Sequence, residues 1–253
     1  MTRQNILFGR FGNKTNDIKH FKHLLPLDVK IVVEPFGGTF AVTRIIYNDD
    51  KYVNYVNDND ETLYYIYKNS EKYSKMCKEL NAIALNNINK NGKVVFVDFM
   101  EEIKDKNYDK IMLDYWKIEK IIRGYSIKIS KHIDHSNFIK CMKNINFSCK
   151  NFKDIINKFR KQENVFIFLD PPYLFSDNSH YSQQQRKEGS DMTHIIYEIF
   201  EILQDKTTKA KIMMIMNDMK IIRYIFKDFV KGEYEKIYQI GKRKSIHLII
   251  TNY

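Results

Sequence analysis

Cysteine is scarce in this chain. Among 253 residues only Cys77, Cys141 and Cys149 occur, an odd number with no C-x-x-C pair. That excludes a secreted scaffold held together by disulfides. Long hydrophobic runs are lacking too: none approaches the roughly 20 apolar residues that cross a bilayer. Met1-Thr2-Arg3-Gln4-Asn5 opens no secretion signal, so the expectation is a reduced, intracellular protein with no membrane partner. There is no G-x-x-x-x-G-K-[ST] loop and no G-x-G-x-x-G fingerprint, which argues against ATP hydrolysis and nicotinamide chemistry. The pairs His20/His23 and His132/His135 have H-x-x-H spacing, but no neighbouring Cys or carboxylate set completes a zinc site, so no metal is expected.

What is present is a sizeable core. Apolar residues make up 43% and aromatic residues 14%, too much for a disordered chain. The length suits one domain, or one domain carrying an insertion. Lys and Arg number 42 against 31 acids, a net charge of +11. Such a balance suits a polyanionic partner such as nucleic acid. A genome rich in A/T codons would also raise the lysine count, so charge alone leaves both readings open.

With only 4 prolines and 9 glycines, each one punctuates. Lys30-Ile31-Val32-Val33 and Val165-Phe166-Ile167-Phe168-Leu169 read as buried parallel strands, each ended by an acid and a proline. Val94-Val95-Phe96-Val97, Ile212 to Met216 and Ile246 to Thr251 read as further strands. Amphipathic stretches at 16–25, 61–85, 193–203 and 220–230 read as helices. Alternating strands and helices predict a doubly wound α/β sheet, whose ligands bind beyond the carboxyl ends of the strands. Residues 117–150 carry eight Lys/Arg against two acids. The surrounding middle region, 64–144, reads as a mainly helical insertion between the two parts of a catalytic domain, 1–63 and 145–253.

Asp170-Pro171-Pro172-Tyr173 carries the sharpest chemistry. An exocyclic amine on an aromatic base is a poor nucleophile, because its lone pair is delocalised into the ring. The Asp170 carboxylate and the Pro171 carbonyl can each accept one of its N–H groups and free that lone pair. The prolines enforce an extended turn with no competing donor, and Tyr173 can stack on the base. A rigid turn with a packed tyrosine is the plainer alternative. Glu34-Pro35-Phe36-Gly37-Gly38 places glycines where backbone can approach a ligand closely and a carboxylate where an ammonium can bind. In Asn57-Asp58-Asn59-Asp60, Asp58 is placed to hold a ribose and Asp60 to cap the helix that follows.

Together these motifs make the chain resemble the alpha-class amino-methyltransferases that modify adenine in DNA, the group containing the DNA adenine methylase. The resemblance spans nearly the whole chain. Phe11-Gly12-Asn13-Lys14 is similar to the N-terminal cofactor motif, and Glu34-Pro35-Phe36 to the main S-adenosylmethionine motif. Phe147-Ser148-Cys149-Lys150-Asn151-Phe152 is similar to the stretch flanking the cofactor adenine, and Leu248 to Tyr253 to the last strand. The resemblance implies an S-adenosyl-L-methionine-dependent methyltransferase sheet with an inserted target-recognition region. Its cofactor residues are Phe11, Gly12, Lys14, Glu34, Pro35, Phe36, Gly38, Asp58, Phe152 and Asp170. Its catalytic residues are Asp170, Pro171, Pro172 and Tyr173.

The implied reaction transfers a methyl group to the N6 amine of an adenine flipped out of double-stranded DNA. Lys117, Lys120, Lys128 and Lys131 are then candidate phosphate contacts, and Arg123 and Asn137 candidate base readers. Two features depart from the pattern: Thr39 and Phe40 follow Gly38 where small residues are usual, and Asn151 stands where an acid is common. An adenine methyltransferase of RNA or single strands, and a non-catalytic nucleic-acid-binding subunit, are the alternatives.

Overall fold

A computed structural model describes residues 14–89, 93–122, 126–127, 134–173, 193–237 and 244–253. The chain divides into two compact units, one formed by Asn13–Glu61 with Asn144–Tyr253 and the other containing Thr62–Lys143.

The first unit is built on a seven-stranded sheet. Its strands are β1 (Ile31–Glu34), β2 (Val53–Asn57), β5 (Ile145–Ser148), β6 (Val165–Leu169), β7 (Lys211–Asn217), β8 (Val230–Ile237) and β9 (Lys244–Thr251). They lie in the order β5-β2-β1-β6-β7-β9-β8. The first five are mutually parallel, while β9 runs antiparallel to both β7 and β8. Strand order reverses between β1 and β6: the chain winds outward from β1 through β2 to β5, then resumes on the other side of β1. The crevice at such a reversal is where open α/β sheets bind ligands, and here Glu34 and Asp170 stand at the carboxyl ends of the two strands that flank it.

Alternation along the central strands explains the two layers. Val33, Ile167, Leu169, Met214 and Met216 face one side. There they meet α8 (Phe152–Phe159), α9 (Thr193–Gln204) and α10 (Lys220–Ile225). Val32, Phe166, Phe168, Met213 and Ile215 face the other side, against α1 (Ile18–Phe21) and α2 (Ala41–Ile46). Being covered on both faces, β6 is an unbroken apolar run with all five residues buried.

Among the described residues, the second unit holds α3 (Glu61–Lys68), α4 (Ser70–Asn86), α5 (Phe96–Lys104), α6 (Lys110–Lys120) and α7 (Ser136–Met142). A two-residue ladder of β3 (Ile121–Ile122) and β4 (Ser126–Ile127) completes it. Trp116 stacks on Phe99, with ring centroids 5.7 Å apart. Asp109 caps α6 by accepting from the Met112 amide at 3.2 Å.

Several predicted elements need correction. Val94–Val97 is no strand: Val94 makes a single bridge to Ile88, and Phe96 and Val97 already belong to α5. The four apolar residues sit at the start of a helix whose buried stripe is Phe99 and Ile103, so helical spacing prevails over β-branched propensity. The helix expected over 61–85 breaks at Asn69 into α3 and α4. The stretch 16–25 is the single turn α1 flanked by 3-10 turns. The stretch 220–230 stays helical only to Ile225, and Val230 opens β8.

Candidate active site

The loop after β1 shows why the sequence there is Glu-Pro-Phe-Gly-Gly. Gly37 is packed so tightly that an added Cβ would lie 2.5 Å from Val56 Cγ1 and 2.9 Å from the Asn57 carbonyl oxygen. Its amide donates to that same carbonyl at 2.6 Å. Gly38 turns the chain through φ +50°, a left-handed conformation, and a Cβ there would meet no atom within 4 Å. The loop thus presses against β2 on one side and leaves open space on the other. The open side has room for a ligand lying across the loop.

Glu34 is buried, and its Oε1 accepts from the Thr43 amide. That amide lies in the first turn of α2, whose N-cap position is held by Phe40 in a left-handed conformation with no side-chain cap. Glu34 therefore serves the helix as its missing cap. Burial pushes its carboxyl up to about 7, against the pull of the Thr43 hydrogen bonds. Phe40 is wholly buried, edge-on to Phe147 at 5.5 Å. The bulky residue that departs from the family pattern here is packed into the core.

Asp58 links the loop to the end of β2. Its Oδ2 accepts from the Gly38 amide at 2.9 Å and its Oδ1 from the Asp60 amide at 3.1 Å. Phe36 stacks on Phe152 with centroids 5.0 Å apart and 29° between planes. Residues 116 positions apart in sequence thus form one aromatic wall. Asn151 caps α8, its side chain accepting from the Lys153 amide at 2.9 Å; asparagine does there what an acid would do.

Beneath these ends, Asn57 ties three segments together. Its amide nitrogen donates to the carbonyls of Pro35 (3.1 Å) and Lys150 (2.9 Å). Its amide oxygen accepts from the Ser148 hydroxyl (2.7 Å) and the Lys150 amide (2.9 Å). In the sequence Asn57 is only the neighbour of Asp58. Its signal was an uncharged polar residue closing a strand, beside the acid that follows it.

On the other flank of the crevice, Asp170 follows β6 directly. Lys14 Nζ lies 2.5 Å from Asp170 Oδ1 and 3.3 Å from the Tyr173 hydroxyl, and 5.5 Å over the Tyr173 ring. Lys14 is 3% exposed and Asp170 23%. Burial works against the lysine's charge, but Asp170 outweighs it and holds the ammonium above its ordinary value. The Asp170 carboxyl is raised by burial, with the Lys14 charge opposing. Such a carboxylate, cationically braced yet partly open, can accept a further N–H from an incoming amine.

A profile of the D12 class of N6 adenine-specific DNA methyltransferases matches residues 11–125 and 120–246. The chain belongs to that class. Among curated proteins it is similar to the Type II methyltransferase M.CviBI of Paramecium bursaria Chlorella virus NC1A. The two are 22% identical over 283 residues, with 96% of this chain and 97% of the relative covered. This D12-class enzyme is therefore a transferase that methylates the N6 amine of adenine in DNA.

In this methyltransferase the structure brings Lys14, Asp170 and Tyr173 into contact, and likewise Gly38 with Asp58 and Phe36 with Phe152. Phe11 and Gly12 lie outside the described residues, as do Arg123, Lys128 and Lys131. Lys117 and Lys120 fall in the last turn of α6, and Asn137 is exposed on α7. Of the H-x-x-H pairs, His20 stacks on Tyr234 at 4.8 Å and His135 Nδ1 is 2.9 Å from the Ser74 hydroxyl, whereas His132 lies outside the described residues. Among the described residues no three His, Cys, Asp or Glu side chains group as metal ligands.

Proposed function

We propose that the methyl donor is S-adenosylmethionine, held along the Glu34–Gly38 loop, and that the acceptor is an adenine flipped from duplex DNA into the space beside Asp170. The observation that carries this reading is the placement of Glu34 and Asp170 at the ends of the two strands bordering the sheet's reversal. The residues present fit the donor. The open side of Gly38 admits it, Glu34 has a carboxylate for its ammonium, Asp58 has one for its ribose hydroxyls, and Phe36 with Phe152 offers a flat wall for its adenine. When bound, S-adenosylmethionine supplies a methyl group already activated on a positive sulfur.

The chain's own residues then act on the acceptor. Asp170, kept ionised by Lys14, accepts one N–H of the adenine amine, and the Pro171 carbonyl accepts the other. Drawing both protons to one side frees the nitrogen lone pair for in-line attack, so the catalysis lies in orientation. Tyr173 stacks on the flipped ring. Flipping is required because the amine is otherwise inside the base stack.

The unit containing Thr62–Lys143 is read as the target-recognition region, with Lys117 and Lys120 on phosphates and Asn137 on a base edge. Likeness to a Type II methyltransferase supports site-specific modification of the restriction-modification kind. The test is Asp170→Ala, assayed with tritiated S-adenosylmethionine on DNA from cells lacking adenine methylation. The variant is expected to bind the donor with near wild-type affinity in calorimetry and to transfer at least about 100-fold more slowly. Transfer at the wild-type rate would overturn the assignment.

A further inference from the structure

One buried ionisable group beside the site has no part in the reading above. His247 sits on β9, fully buried, opposite Asn217 of β7 and Tyr234 of β8. It is the first of the buried residues that run from His247 to Thr251 in β9, where a histidine needs a polar partner to justify its burial. That partner is Tyr173, whose hydroxyl lies 3.2 Å from His247 Nδ1. The two rings meet edge to face, centroids 5.5 Å apart at 75°. Behind the imidazole, Tyr234 packs at 5.3 Å and 32°.

The direction of one of these hydrogen bonds follows from the chemistry of the groups. A lysine ammonium can only donate, so Lys14 donates a hydrogen bond to the Tyr173 oxygen at 3.3 Å. Where Nδ1 carries no proton it accepts the tyrosine's own O–H, and the neutral imidazole then bears its proton on Nε2. Burial, with the charges of Lys14 and Lys236 and against that of Asp17, lowers the imidazole to about 4 and keeps it neutral. Tyr173 is thus held at its hydroxyl from two sides, by a donor rooted before α1 and an acceptor rooted in β9.

We propose that His247 is a positioning residue for methyl transfer: by accepting from the Tyr173 hydroxyl it fixes the plane of the ring against which the target adenine stacks. This rests on the reading of Tyr173 as the stacking ring. A tyrosine held only by its Cβ rotates about two bonds. One held at its far end presents a single face, so the amine arrives at Asp170 in one orientation. Misplacement by an ångström at such a step costs up to about 100-fold.

The experiment compares His247→Phe, His247→Asn, Tyr173→Phe and the double variant His247→Phe/Tyr173→Phe. The substrates are tritiated S-adenosylmethionine and DNA from cells lacking adenine methylation. His247→Phe keeps the ring packing and loses the acceptor; Asn restores an acceptor near the Nδ1 position. Expected are a roughly 10-fold fall in kcat for His247→Phe and for Tyr173→Phe, with donor Kd unchanged. Recovery in His247→Asn and a double variant no slower than either single one are also expected. Wild-type kcat in His247→Phe, multiplying losses in the double variant, or an Asn variant as slow as Phe would overturn the inference. If His247→Phe does not fold, Tyr173→Phe decides, since full activity without the hydroxyl leaves nothing for His247 to position. Tyr173→Ala separates the underlying reading: wild-type transfer there sinks the stacking role itself, whereas a slow Tyr173→Ala beside a normal His247→Phe sinks only the positioning role.

Discussion

Lys14 and Asp170, 156 residues apart in sequence, meet as a 2.5 Å ion pair at the carboxyl end of β6. On the proposed role of Asp170, the pair sets the protonation of the group that accepts the adenine amine. Burial already raises the Asp170 carboxyl, and the Lys14 charge is what opposes that rise. With Lys14→Met the carboxyl climbs further, so a larger fraction is protonated and unable to accept at a given pH. The acid limb of kcat/KM is expected to move to higher pH, with activity at neutrality falling and recovering as pH rises. Lys14→Arg keeps the charge and should leave the limb near its wild-type position. A pH–rate profile of the three proteins decides, and an unshifted limb in Lys14→Met refutes the coupling.

Glu34 predicts a second pH dependence. Its carboxyl is raised from 4.5 to about 7, chiefly by burial. The folded state therefore holds this proton more tightly than the unfolded chain. The stabilisation is complete below the unfolded value, and it is lost as pH rises from about 4.5 through about 7. With the donor placed as proposed, its binding runs the other way, because its ammonium pairs with the ionised form of Glu34. Affinity for S-adenosylmethionine should tighten towards pH 7 by up to about tenfold per pH unit and level off above it. Glu34→Gln keeps an oxygen for the Thr43 amide but cannot ionise, so both the melting temperature and the donor Kd should lose this dependence. Calorimetry and thermal melts between pH 5.5 and 8.5, as assay conditions spanning about 7, check both.

Much of this site was legible because strand ends and prolines are local signals. Val165 to Leu169 could only be a buried strand, and Asp170-Pro171-Pro172-Tyr173 had to follow at its carboxyl end. Glu34 and Gly37-Gly38 were equally plain. What stayed hidden depends on partners distant in sequence. Nothing near Asn57 announces that it bonds Lys150, and nothing near His247 announces Tyr173. Strand β8 was missed because Val230-Lys231-Gly232-Glu233-Tyr234 alternates with only Tyr234 buried, and the strand lies at the sheet's edge, where apolar patterning is weakest. The helical reading of Lys220 to Val230 failed at Phe226 for a related reason: the residue is buried, but it packs on Phe200 as the chain leaves the helix.

The fit of Gly37 against β2 makes a simple steric prediction. In Gly37→Ala the new methyl carbon would sit 2.9 Å from the backbone oxygen of Asn57 and 2.5 Å from Val56 Cγ1. The valine can shift, but the carbonyl is fixed by the sheet. Overpacking of this kind costs about 1–3 kcal/mol, and it pushes the loop off β2, where Asp58 holds Gly38. Thermal unfolding should register the loss, and donor affinity should fall with it. Gly38→Ala is the informative contrast. Its Cβ meets open space, so the penalty comes from the left-handed backbone and, with the donor placed as proposed, from intrusion on it. An Ala at 37 with wild-type melting would show that the close approach is not maintained in solution.

Asn57 supports the sharpest of these tests, because its two side-chain atoms play opposite parts. The nitrogen faces two carbonyls, of Pro35 and Lys150, while the oxygen faces two donors, the Ser148 hydroxyl and the Lys150 amide. Asn57→Asp changes almost nothing in shape, yet sets an acceptor against both carbonyls. Asn57→Ala removes the conflict but strands the buried partners, each at a cost of about 1–3 kcal/mol. The aspartate variant should be destabilised at neutral pH and regain part of its stability on acidification, since a protonated carboxyl can donate to one carbonyl. The alanine variant has no such recovery. Chemical denaturation of both proteins at pH values either side of the ordinary carboxyl range near 4 distinguishes them. A pH-independent Asp variant as stable as wild type would mean that Asn57 does not bind Pro35 and Lys150 in this polarity, and the loop after β1 would then lack this tie.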